Sequence, residues 1–328
     1  ITARGVWESV KRHFRELKLD SQISPFTVVG VGDMEGDVFG NGMLQSTNIR
    51  LLAAFNHQQI FLDPDPDIEI SFKERNRLFE MPHSSWKDYN PSFISKGGGV
   101  FERSAKSIRL SPECRKAFGI SHAELRPDEL IKILLCLPVD LLYFGGIGTF
   151  IKSTMETHSD VGDRANNDVR VDAKSVRAKI IGEGANLGMI QRARIEYALK
   201  GGHLNTDAID NSAGVDCSDH EVNLKILFNI LGNSISRLER NTLLKEMTND
   251  VAHLVLADNY RQTQILTVME AAKSNDINAY QSLIRNLETE NHLDRVLEAL
   301  PDDETLEQRR ARNQGMTRPE LSVLLAYS

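Results

Sequence analysis

Three times in this chain a short run of apolar residues, rich in β-branched and aromatic side chains, ends directly in glycine. The runs are "FTVVGVG" at Phe26–Gly32, "VDLLYFGG" at Val139–Gly146 and "AKIIGEGAN" at Ala178–Asn186. A strand that is apolar at nearly every position, not at alternate ones, is covered on both faces. Glycine immediately after it lets the backbone turn sharply toward a helix. Helical segments lie between and after the runs: one starts behind Ser111 as N-cap, with Pro112 in its first turn, and stops at Gly119, and others span Pro127–Leu137 and Met189–Lys200. Strand, glycine turn, helix and strand in that order predict an α/β fold with a doubly wound, Rossmann-like parallel sheet. Val6, Val10, Phe14 and Leu17 mark an opening helix, and Ile49–Phe55 and Ile60–Leu62 add strands. Beyond Glu221 the apolar residues keep helical spacing to the end. Residues 1–221 therefore read as a dinucleotide-binding domain with an insertion at about 63–110, and residues 222–328 as a helical C-terminal segment.

Charge narrows the function. The net charge of −7 offers no basic field for nucleic acid or anionic lipid. The most apolar stretch, Ile131–Ile151, is interrupted by Lys132, Pro138 and Asp140, which argues against a membrane span. Cys114, Cys136 and Cys217 form no CxxC pair and no disulfide framework, which fits a reducing cytoplasm. Both ends resemble cuts through helices: Ile1 stands in place of an initiator Met, and the capping-box pair Thr317 and Glu320 opens a helix at the far end. The expectation is a piece of a longer protein.

The glycines at 30, 32 and 36 form GxGxxxG, one residue longer than the usual dinucleotide turn. A diphosphate needs bare backbone at such a turn, although Asp33 beside it is repulsive, and a tight turn with no ligand would use the same glycines. Asn56, after the second strand, is placed for the adenosine ribose hydroxyls, with Asp63 as the alternative. No metal site is predicted. Prolines hold Asp63, Asp65 and Asp67 extended, and Cys217 and His220 lack further ligands at zinc spacing. His57, His83, His158 and His203 read as surface or hydrogen-bonded side chains, and Trp86 as a packed aromatic.

Two stretches carry more information. "AKIIGEGAN" and "NTDAIDNSAGVDCSDHE", Asn205–Glu221, resemble in order and separation two motifs of the glutamate dehydrogenases. With "VGVGDMEGDVFGNGML", "FLDPDPD" and "GGIGTF", the chain looks like the catalytic region of the large NAD-specific glutamate dehydrogenases of bacteria. The resemblance implies NAD as cofactor, L-glutamate and 2-oxoglutarate as substrate and product, and a homo-oligomer in the full-length protein. It also implies that Gly30, Gly32, Asp33, Met34 and Gly36 face the pyrophosphate. Asn186 and Asn211 would lie against the nicotinamide, its ribose and the substrate, and Ser218 against the substrate's distal carboxylate. The family's proton-transferring lysine and aspartate belong to a preceding substrate domain, so no catalytic residue is expected here and the piece is expected to be inactive alone. Lys96 in "SKGGGVF" follows the dinucleotide turn, on the wrong side for that lysine. A non-catalytic NAD-binding module and another amino-acid dehydrogenase are the competing readings.

Overall fold

The computed structural model describes residues 1–146 and 148–328; Ile147, within "GGIGTF", and the side chains of Asn233, Ser274 and Asn275 lie outside the described residues. The chain opens with α1 (Thr2–Glu16), β1 (Phe26–Val31), α2 (Asp37–Gly42), β2 (Ile49–Phe55), β3 (Gln59–Leu62), α3 (Ile68–Glu80) and β4 (Gly99–Glu102). Next come β5 (Ile108–Arg109), α4 (Pro112–Phe118), β6 (Glu124–Leu125), α5 (Pro127–Leu135), β7 (Leu141–Phe144), β8 (Ile151–Lys152), α6 (His158–Val161), β9 (Val171–Asp172) and β10 (Ile180–Glu183). The remainder is helical: α7 (Gln191–Leu199), α8 (Asp207–Asp210), α9 (Ser212–Leu231), α10 (Arg237–Ala271), α11 (Ile277–Thr289), α12 (Asp303–Ala311) and α13 (Arg318–Ala326).

The main sheet has the order β10-β7-β1-β2-β3-β4. Its first four strands are parallel, with Val31 level with both Phe55 and Phe144, and Phe144 level with Glu183. Both faces are covered, as the unbroken apolar runs require. Val28, Leu51, Leu141, Tyr143 and Ile180 pack with Val6, Val10 and Phe14 of α1 and Phe39 of α2. Alternate residues Val29, Val31, Leu142, Phe144 and Ile181 face the opposite way, toward Leu130, Ile131 and Leu134 of α5 and Tyr197 of α7.

The sheet is parallel only as far as β2. β3 runs antiparallel to β2, and β4 antiparallel to β3. The link at residues 56–58 is too short for a parallel crossover, which needs a dozen residues or more. Asn56 folds it tightly, its Oδ1 accepting from the backbone N–H groups of Gln58 (2.8 Å) and Gln59 (2.7 Å). The 63–110 stretch adds α3 and the edge strand β4, and its Trp86 is fully buried, stacked on Phe61 at 4.8 Å between ring centroids.

Residue 221 falls inside α9. The C-terminal half of α10 buries Val255, Asn259, Thr263 and Leu266, and a separate core of Ile277, Ile284, Leu306 and Leu321 joins the last helices. By contrast, Ile226, Ile230 and Leu238, on the later part of α9 and the start of α10, remain exposed. Apolar faces on this helical pair are thus only partly covered by the sheet domain. Arg318, at the start of α13, is buried and ties the tail to the sheet domain. Its guanidinium donates to Asn205 Oδ1 (3.0 Å), to the Thr263 carbonyl (3.0 Å) and to Glu16 Oε1 (3.2 Å).

Candidate functional site

Four strand ends stand level at one edge of the sheet, and the residues that follow them are Gly32, Asn56, Gly145 and Gly184. Between β1 and β7 the winding reverses direction, the place where open α/β sheets form their ligand crevice. The floor there is bare backbone. A Cβ on Gly146 would meet nothing nearer than Gly32 Cα at 3.5 Å and the Val31 carbonyl at 3.7 Å.

Beneath that floor the glycines serve packing. A Cβ on Gly30 would lie 2.4 Å from the Phe39 ring, one on Gly32 2.8 Å from it, and one on Gly145 2.5 Å from Phe39 Cα. Phe39 is fully buried, so no open space remains for a side chain at these positions. Gly32 also has φ +140°, a conformation that favours glycine. Trp86 Nε1 donates to the Gly32 carbonyl at 2.9 Å, which fixes the turn from the far side.

Asp33 and Asn56 brace one another. Asn56 Nδ2 donates to Asp33 Oδ2 at 2.8 Å, while Asp33 Oδ1 accepts from the Gly36 N–H at 3.1 Å. The Asp33 carboxylate thus engages an amide that a phosphate would otherwise reach. Glu35 and Asp37 add two further acidic side chains around the turn. Met34 is buried in the core, which leaves its backbone as the part available to a ligand. Asp63, the alternative ribose residue, lies back along the sheet, buried, and accepts from the Ser95 N–H at 3.1 Å.

The loop after β10 is held by charge. Glu183 is buried, and Arg194 of α7 forks onto both its oxygens at 2.7 and 3.0 Å while also reaching Asp207 at 3.0 Å. Glu183 Oε1 also accepts from the Met189 N–H at 3.1 Å, closing the loop across residues 184–189. Burial pushes Glu183 up to about 7, with the Arg194 guanidinium pulling it down. At the loop tip Leu187 adopts φ 57°, its N–H donating to Asp207 Oδ2 at 2.7 Å. Here two of the expected residues meet: Asn211 Nδ2 donates to Asn186 Oδ1, and both amides reach solvent. Ser218, exposed two turns along α9 from Asn211, donates to the Gly214 carbonyl at 3.2 Å.

Asp210 supports this loop from behind, its carboxylate accepting from the Glu183 N–H (2.9 Å) and from Asn205 Nδ2 (2.8 Å). Burial pushes it up to about 6 despite those bonds. A carboxyl raised on folding weakens the fold as pH climbs from its unfolded to its folded value. Relative to Asp210→Asn, the parent is expected to lose about 2–3 kcal/mol of stability between about pH 4 and about pH 7. Urea midpoints at the two pH values check this, and a difference that does not change with pH refutes it.

Other candidates resolve into ordinary contacts. Lys96 is exposed and pairs with Glu113 at 2.9 Å, which raises its pKa, the opposite of what a catalytic amine requires. Asp63, Asp65 and Asp67 serve three different partners: Ser95, Arg50 (2.6 Å) and, as N-cap of α3, the Ile70 N–H (2.9 Å). Cys217 and His220 line an apolar groove of about 750 Å³ with Ile1, Leu224, Phe228 and Leu244. Sequence reasoning missed Glu183, Arg194 and Asp210. The available signal was an acidic residue at the end of an otherwise apolar strand, which calls for a buried partner.

Residues 1–269 match the family described as bacterial NAD-glutamate dehydrogenase, catalytic domain. The NAD-specific glutamate dehydrogenases of Halomonas elongata and Pseudomonas aeruginosa are each 54% identical over 330 aligned residues, covering 100% of this chain and 20% of the relative. The chain thus spans about a fifth of the length of these relatives. A solved structure, the hetero-hexameric glutamate dehydrogenase of Thermus thermophilus, is 13% identical with a TM-score of 0.43, covering 82% of this chain and 47% of that one. With its glycine turn, its EGAN loop and a family match over residues 1–269, the chain belongs to the bacterial NAD-glutamate dehydrogenase catalytic-domain family.

Proposed function

We propose that this chain is the coenzyme-binding part of an enzyme that oxidises L-glutamate to 2-oxoglutarate and ammonia with NAD. The observation that carries the reading is the alignment of four strand ends, which sets the Gly32–Gly146 floor and the EGAN loop at one edge, beside the winding reversal. The floor fits a dinucleotide, because only backbone lines it at the closest approach. Bound there, NAD supplies the hydride acceptor.

In this proposal the backbone of Gly32, Asp33, Met34 and Gly36 lies along the pyrophosphate, and Gly30 shapes the turn from beneath. The braced pair Asn56 and Asp33 meets the adenosine ribose. Asn186 and Asn211 offer side-chain amides, each both donor and acceptor, to the nicotinamide end, and Ser218 offers a hydroxyl to the substrate's distal carboxylate. The chain supplies no proton-transferring residue, so it binds coenzyme without turning glutamate over. The division near residue 221, a cytoplasmic location and a homo-oligomeric full-length protein belong to the same proposal. The three cysteines, all free, fit the location. Among the described residues no helix is long and apolar enough to cross a membrane.

A fluorescence titration of the chain with NADH and, in parallel, NADPH tests the reading. The expected result is saturable NADH binding and weaker NADPH binding, with the Asp33 carboxylate beside Asn56 repelling a 2′-phosphate. Failure of both to bind would overturn it.

A further inference from the structure

At the opposite end of β10 from the glycine floor, three ligand-type side chains from separate parts of the chain converge. His13 and Glu16 lie one turn apart on α1, and His203 lies beside Ile180, the first residue of β10. Their donor atoms all fall within 4.8 Å of one another, and among the described residues this is the one such cluster of three or more His, Cys, Asp or Glu side chains.

The distances are the telling feature. Glu16 Oε2 stands 3.9 Å from His13 Nδ1 and 3.6 Å from His203 Nδ1, beyond the range of N–H···O hydrogen bonds. Ligands around a tetrahedral ion with bonds of about 2.1 Å are separated by about 3.3–3.5 Å, close to both of these distances. His13 is fully buried, and neither of its ring nitrogens has a hydrogen-bond partner. A buried imidazole with both nitrogens unmet is costly unless something else meets them.

The surroundings suit an ion. Glu16 Oε1, the oxygen turned away from the histidines, accepts from Thr267 Oγ1 at 2.6 Å and from Arg318 at 3.2 Å, contacts that orient the carboxylate. His203, alone of the three, lines a cavity of about 280 Å³ with Leu17, Tyr197 and Gly202, so the cluster is approached from its side. The cations at its rim are engaged elsewhere: Lys179 pairs with Asp140 at 2.8 Å, Lys200 donates to the carbonyls of Lys174 (2.5 Å) and Val176 (3.1 Å), and Arg177 donates to the Cys136 carbonyl at 2.8 Å. Arg318 meets Glu16 through Oε1 at 3.2 Å, whereas the histidines face Oε2.

We propose that His13, Glu16 and His203 form a site for a divalent transition-metal ion of the zinc class, separate from the coenzyme crevice. The ion joins α1 to the segment ahead of α8, and through Glu16 to Arg318, Thr267 and the C-terminal helices. Its role is to hold the helical tail against the sheet.

The test uses the full-length protein, stripped with a chelator and titrated with Co²⁺, alongside His203→Gln and His203→Cys. The expected result is a four-coordinate Co²⁺ absorption band in the parent, an affinity at least about tenfold weaker in His203→Gln, and recovery in His203→Cys, which restores a ligand. Zn²⁺ is expected to raise the unfolding temperature of the parent and of His203→Cys, but not of His203→Gln. Absence of the band in the parent, or equal binding by the parent and His203→Gln, would overturn the proposal.

Discussion

Replacing Arg194 with leucine is expected to lower stability by about 3–5 kcal/mol, because it leaves the Glu183 carboxylate buried without its counter-ion. The effect should depend on pH in a defined direction. Without the guanidinium the Glu183 carboxyl rises further above its unfolded value, so the variant is expected to weaken as pH increases and to approach the parent in acid. Glu183→Gln added to Arg194→Leu removes the uncompensated charge and should recover part of the loss. Urea denaturation of the parent, both single variants and the double variant measures the coupling directly. Additive effects of the two substitutions would show that the fork contributes nothing beyond its separate halves.

The second large effect lies at the glycine turn. Gly30→Ala is expected to cost about 1–3 kcal/mol through overpacking, since the new methyl would sit 2.4 Å from the Phe39 ring. NADH binding should weaken in the same variant, because Gly32, two residues on, rests against that ring too. Phe39→Leu in the Gly30→Ala background should restore both properties in part. Stability falling with NADH affinity unchanged would separate the packing role of the turn from any role in binding.

Much of the fold could be read from the sequence because it rests on local signals. β1 and β2 run as their apolar residues indicate, Ser111 caps α4 with Gly119 in the left-handed region, and Thr317 and Glu320 form the capping box that opens α13. Each of those signals spans a few residues. The direction of β3 was harder, since it depends on the length of a turn and not on any periodicity. The contact of Trp86 with Gly32 joins residues 54 positions apart and leaves no pattern in the chain. The same holds for the supports of the site. Asn186 and Asn211 could be picked from motifs, whereas Arg194 is one arginine among many until the fold sets it on Glu183. His203 read as an ordinary histidine because its neighbours, His13 and Glu16, enter from α1, at the other end of the domain's sequence.

Phe39 gives the glycine turn a history as well as a shape. One ring presses on residues 30, 32 and 145, which come from two separate strand ends, so these positions are not free to drift independently. A lineage that lost the glycine at 30 would first have to shrink residue 39, whereas at 32 and 145 a smaller residue 39 would not suffice, because a new Cβ would meet Phe39 Cβ at 2.8 Å and Phe39 Cα at 2.5 Å. Related sequences should therefore keep glycine at 32 and 145, and replace Gly30 only where residue 39 is smaller than phenylalanine.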